Sequence, residues 1–188
     1  RIPGRPLRVA PLLAGAIGFG GMFAVYTYIV PTITTMGGLP ESSAPIFLFA
    51  FGLGMVVGTW VAGEMASWSI FGSLFVGGAG QGILLLAFAG LADTGWWTLP
   101  IVFGITVTGS VLVVGLQMRL MHVAGEARTL GAAMNHAALN LANALGAWLG
   151  GLVIAAGLGY RAPGVVGFTL SFLGLALLLV SFRLVRRS

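Results

Sequence analysis

Charged residues cut the chain into long apolar stretches. Residues 9–40 hold no charge over 32 positions, 42–63 over 22, 65–92 over 28, 94–118 over 25, 129–160 over 32 and 162–182 over 21. A helix that crosses a bilayer needs about 20 mostly apolar residues. Each stretch therefore predicts one span, at about 11–35, 45–65, 70–91, 98–121, 130–156 and 164–183. Turn chemistry joins them. Gly37–Ser43 (GGLPESS) ends in serines suited to capping a helix. Asp93-Thr94-Gly95 turns just before Trp96 and Trp97, a pair suited to a membrane interface. Gly157–Pro163 (GLGYRAP) makes a third tight connection. Residues 1–10 read as a cytoplasmic linker, a loop cut in the middle, and 184–188 as a cytoplasmic tail. No shift in composition marks a second domain.

Within the stretches, small residues recur four apart: Gly54 and Gly58, Gly78 and Gly82, Gly146 and Gly150. Such pairs let helices approach closely in lipid, where apolar surface alone does not drive helices together. The pattern predicts an all-α integral membrane bundle of six packed helices. Pro31 predicts a bend in the outer end of the first span.

Composition narrows the class further. Hydrophobic residues make up 58% of the chain and charged residues 7%, against about 45–50% and about 25% in a soluble domain. Too little polar surface exists for a water-soluble globule, and the hydrophobicity excludes disorder. With no cysteine, disulfides, thiolate nucleophiles and zinc–thiolate sites are excluded. The basic residues are all arginine. Six spans place eight of them on the side of the termini and Arg161 alone on the other. That asymmetry predicts both termini in the cytoplasm. It also accounts for the basic pI as topology, without nucleic acid.

Polar groups inside a membrane are costly and mark candidate sites. The fifth span holds Asn135, His136, Asn140 and Asn143. At 100° per residue, His136, Asn140 and Asn143 fall within about 60° of one another, with Thr129 on the same face. Two readings stand: contact with a substrate, or hydrogen bonds between helices. His136 is the candidate for carrying a proton. On the first span Phe19, Phe23, Tyr26 and Val30 share a face. Phe23 and Tyr26 suit a cavity wall, and Tyr28, pointing the other way, suits the lipid interface. Thr106, Ser110 and Gln117 form a weaker stripe on the fourth span, because Thr and Ser can bond their own backbone. Gln81 reads as packing. Glu64, at the cytoplasmic end of the second span, is the carboxylate nearest a span interior and the second candidate for proton linkage. Motifs of hydrolases, zinc proteases and nucleotide-binding loops are absent, and no clustered ligands suggest a metal. The residues point to no enzyme and no cofactor.

Asn135–Gly151 (NHAALNLANALGAWLGG), followed by Gly157-Leu158-Gly159-Tyr160, resembles the eleventh span and following loop of bacterial major facilitator superfamily exporters. The nearest branch is that of the drug:proton antiporters, with its sugar, purine and chloramphenicol efflux proteins. Val25–Ile33 (VYTYIVPTI) resembles the seventh span. The resemblance implies spans 7–12 of a twelve-helix transporter, built as two inverted three-helix repeats. Its first and fourth spans would line a cavity, its second and fifth would face an N-terminal six-helix half, and its third and sixth would face lipid. A small organic molecule, drug, sugar or nucleobase-like, would be exported against protons by alternating access. The substrate-binding residues would then be Phe23, Tyr26, Thr106, Ser110, Asn140 and Asn143. The family's Gly-x-x-x-Asp-Arg loop keeps Gly63 here, but Ser67 and Trp68 stand at its charged positions. The alternative is a complete six-span scaffold or small transporter acting as a homodimer.

Overall fold

The computed structural model describes residues 17–124 and 128–187. The expected linker at 1–10, the expected start of the first span and residues 125–127 lie outside them. The described residues form helices and turns without a strand. The first span is two helices, α1 (Ile17–Thr27) and α2 (Ile29–Met36), set at 54° to each other. Then follow α3 (Ala44–Trp68), α4 (Ile70–Leu91), α5 (Thr98–Ala124), α6 (Arg128–Val153) and α7 (Ala162–Arg187). Five helical segments, together with the bent pair, are long and apolar enough to cross a membrane.

The bend has a local cause. Pro31 has no N–H to offer the Thr27 carbonyl four residues back, and its ring crowds that carbonyl. The chain breaks at Tyr28, whose N–H turns back to the Val25 carbonyl at 3.1 Å. Beyond Pro31 the helix widens into a π-turn over Thr32–Met36. Ser69 caps α4 by accepting from the Gly72 N–H at 3.0 Å. Ser43 does not cap α3. Its hydroxyl donates to the Pro40 carbonyl at 2.6 Å, and the short turn Glu41–Ser43 leads into the helix directly. At the other end, α7 continues through Arg187, past the expected end at 183. Basic residues suit a helix C-terminus, where they oppose the dipole.

The helices interlock reciprocally. Gly54 and Gly58 of α3 press on α5, where a β-carbon at Gly58 would stand 2.7 Å from the Val107 carbonyl oxygen. Gly146 and Gly150 of α6 press in the same way on α1. A β-carbon at Gly146 would collide with the Gly20 carbonyl, and one at Gly150 would stand 2.9 Å from the Tyr28 ring. Gly77 of α4 meets Leu112 of α5, while Gly167 of α7 meets Gly21 of α1. The second and third helices of each three-helix unit thus pack on the first helix of the other. This is the arrangement of two inverted repeats, and α4 with α7 closes the back of the bundle.

The core sits where these units meet. Met22, Ile29 and Ile33 of the bent span pack with Phe47 of α3, Phe88 of α4 and Ile105 of α5, each 2% exposed or less. A polar junction crosses the core. Gln81 Nε2 and Ser171 Oγ both donate to the Gly18 carbonyl, each at 3.2 Å, so one backbone oxygen joins α1, α4 and α7.

Candidate functional site

α6 divides the polar cluster of the sequence into two. Asn135 lies on the buried face, 2% exposed, in line with Ala142. Its Nδ2 has no hydrogen-bond partner among the described residues. His136, Asn140 and Asn143 lie on an exposed strip, with Thr129 one turn and more below them. On the next strip of the same helix stand Leu141 and Trp148, 61% and 62% exposed. The helix therefore turns one polar and one apolar strip outward, and only the apolar one suits hydrocarbon.

The aromatic row on α1 adjoins this open side. Tyr26 is 38% exposed, with its ring centroid 4.3 Å from that of Phe51 on α3. Phe23 is half-buried and meets the Tyr26 ring edge-on at 6.4 Å and the Phe19 ring at 5.2 Å. On the helical wheel, Phe23, Tyr26, Thr27 and Val30 fall between the face of α1 that meets α3 and the face that meets α6. Tyr28 is not at a lipid interface. Its ring lies over Gly150 and Gly151, and its hydroxyl donates to the Ala147 carbonyl at 2.9 Å.

α5 is placed differently from the expectation. Thr106 is fully buried and Ser110 nearly so, both beneath Gly54 and Gly58 of α3. The Thr106 hydroxyl donates to the Phe103 carbonyl of its own helix at 2.8 Å. A polar side chain that bonds its own backbone can sit in a dry seam, so these two residues serve the α3–α5 contact here. Gln117 is half-buried farther along α5. Glu64 is exposed near the C-terminal end of α3, where Ser67 donates to its backbone carbonyl at 2.7 Å. Trp68, at the position where the family's loop carries Arg, is 86% exposed.

One ion pair escaped the sequence reading. Arg161, in the turn before α7, meets Asp93, in the turn after α4, at 2.7 Å. The same guanidinium donates to the Ala89 and Gly90 carbonyls at 3.4 and 3.1 Å. It so satisfies carbonyls that the end of α4 leaves without helical partners. The pair lies 68 positions apart in sequence, and only the count of spans, which puts both turns on one membrane face, could have suggested it.

The six-span bundle of two inverted repeats, with its exposed polar strip on the fifth span, belongs to the major facilitator superfamily of membrane transporters. No family model matches the chain. Among curated proteins it is similar to the inner membrane transport protein YdhP of Escherichia coli K12, 38% identical over 94% of this chain and 45% of that protein. It is 30% identical to the purine ribonucleoside efflux pump NepI of Escherichia coli O157:H7, over 92% of this chain and 43% of the pump. It is 28% identical to the MFS-type transporter YtbD of Bacillus subtilis, over 73% of this chain and 36% of that protein. The chain thus spans about half the length of the curated relatives it matches, and those relatives are named as transporters.

Proposed function

We propose that this chain forms the C-terminal wall of a proton-coupled exporter of a small organic molecule. One observation carries the reading: α6 exposes His136, Asn140 and Asn143 together along one strip of a mainly apolar membrane bundle. Uncovered polar groups are not tolerated against hydrocarbon, so the strip calls for a wet cavity or a second polar surface. A second six-helix half supplies both. The two halves rock about a site between them, and the strip faces each side of the membrane in turn. Asn140 and Asn143 offer the donors and acceptors that hold a polar substrate, and Phe23 and Tyr26 offer ring faces for its apolar part. Drug-like, sugar-like and nucleobase-like molecules all carry that combination. His136 on the strip and Glu64 at the end of α3 are the groups assigned to proton linkage.

The arginine asymmetry supports both termini in the cytoplasm. A cysteine placed at Ser42 should then react with an impermeant reagent added to intact cells. Protection at 42 with labelling at 188 would invert the orientation. The function is tested by efflux assays on the full-length protein. Replacing Asn140 and Asn143 together by Leu should lower export by about tenfold or more while the protein still inserts at normal abundance. Normal export by that variant would remove the strip from the transport path. Gradient-driven flux by residues 1–188 alone in liposomes would favour the homodimer instead.

A further inference from the structure

A groove of about 520 Å³ opens between the end of α6 and the start of α7. Leu149 and Val153 form one side, Val166 and Leu170 the other, Leu158 of the glycine-rich turn lies near its mouth, and Arg161 stands on the rim. The lining is apolar even at Thr169, whose hydroxyl is bound to the Val165 carbonyl at 2.9 Å. From Arg161 to Leu170 the groove follows α7 for about 13 Å. One leaflet of a hydrocarbon core about 30 Å thick is about 15 Å deep, so the groove has the depth of a single leaflet. It is not the surface turned to a second half. Leu149 lies about 120° around α6 from Asn143 and about 180° from Asn140.

The rim carries both signs of charge. Arg161 and Asp93 hold each other at 2.7 Å, yet their side chains remain 41% and 54% exposed. Arg161 commits three of its five N–H donors, to Asp93 and to the carbonyls of Ala89 and Gly90, which leaves two. The Asp93 carboxylate keeps one oxygen outside the ion pair. An occupant that matches this site has a long apolar tail, an anionic group for Arg161 and a cation with N–H donors for Asp93.

We propose that the groove binds one acyl chain of a zwitterionic phospholipid with a primary amine in its headgroup. The phosphate takes the two remaining donors of Arg161, and the ammonium donates to the free oxygen of Asp93. A quaternary choline has no N–H to give, and a glycerol headgroup brings no cation. The site therefore discriminates headgroups by hydrogen bonding as well as by charge. This inference needs the chain to span a membrane and does not depend on what is transported.

The test is native mass spectrometry of the purified full-length protein, titrated separately with phosphatidylethanolamine, phosphatidylglycerol and phosphatidylcholine of matched acyl chains. One ethanolamine lipid should stay bound about three- to tenfold more tightly than the other two, the range expected for one or two hydrogen bonds. Asp93→Asn should level the three headgroups while lipid is still retained. Val166→Trp fills the groove without touching the ion pair and should remove the tight site for all three. Leu158→Trp, which narrows the mouth from the turn, serves the same purpose if Val166→Trp lowers the melting temperature. Equal binding of the three lipids by the unaltered protein would overturn the proposal. So would an unchanged ethanolamine adduct when the groove is filled, or a protein dimer that dissociates on that filling.

Discussion

α3 and α6 occupy matching places in the two repeats and face their surroundings differently. Each is the second helix of its unit. Each lays two glycines four residues apart on the first helix of the other unit, and each leaves much of its surface open. The outward face of α3 is mainly apolar up to Glu64 near its end, with Phe49, Val56 and Trp60 exposed by 70%, 69% and 71%. α6 instead interposes His136, Asn140 and Asn143 beside Leu141 and Trp148. The comparison separates two uses of a helix surface. The small-residue seam is common to both repeats and builds the fold, and the polar strip belongs to one repeat and can be altered without touching the seam.

The largest effect should come from breaking what the two helices share. Gly54→Val and Gly146→Val each drive a side chain into a neighbouring helix, against Thr106 in one case and the Gly20 backbone in the other. Overpacking of this kind costs about 1–3 kcal/mol, and more where backbone must move. Both variants should lose abundance and melt at lower temperature. Gly52→Val, on the open face of α3 with nothing within 4 Å, should leave both unchanged. If the two seam variants differ widely, the repeats are not equivalent in packing.

The difference between the helices is tested next. Asn140→Leu with Asn143→Leu should lower export by about tenfold or more, the loss of two hydrogen bonds to substrate. Leu53→Ala with Val56→Ala on the exposed face of α3 should leave export within a factor of about two of normal. Equal losses from both pairs would erase the distinction between the strips. Smaller still is Tyr28→Phe, which removes the bond to the Ala147 carbonyl. Its cost should be near the average of about 0.6 kcal/mol for such bonds in membranes, read as a small fall in melting temperature. Gln81→Leu should change stability least. It loses the bond to Gly18 and also removes Oε1, which is buried without a partner among the described residues; those two contributions oppose each other.

The spans were legible because hydrocarbon demands long charge-free runs, a requirement that any sequence displays openly. The glycine pairs likewise announced close contacts, but not with whom. The surroundings of Thr106 and Ser110 were not legible for a related reason. Their spacing marks a face correctly, but a hydroxyl that can satisfy itself on its own helix carries no information about whether that face is wet. Gly54 and Gly58 were the missing clue, since a smooth seam needs a helix to receive it, and α5 does so with those two residues. Asn135 and His136 are adjacent in sequence and 100° apart on the helix, which sends one into the bundle and the other out of it. The Arg161–Asp93 pair depends on two turns brought together only when the repeats close on each other.

The break at Tyr28 has a geometric consequence for the mouth of the bundle. α2 is eight residues long, about 12 Å. At 54° its far end stands about 10 Å aside from the line of α1, close to the width of a helix. The tilt delivers the loop after it onto the turn between α4 and α5, where the Gly37 carbonyl and Leu39 lie against Gly95. The bundle is thus roofed at that end by a piece of its own first span. A chain with Ala for Pro31 regains the N–H that Thr27 lacks and should draw α2 back toward the axis, lifting the roof from Gly95.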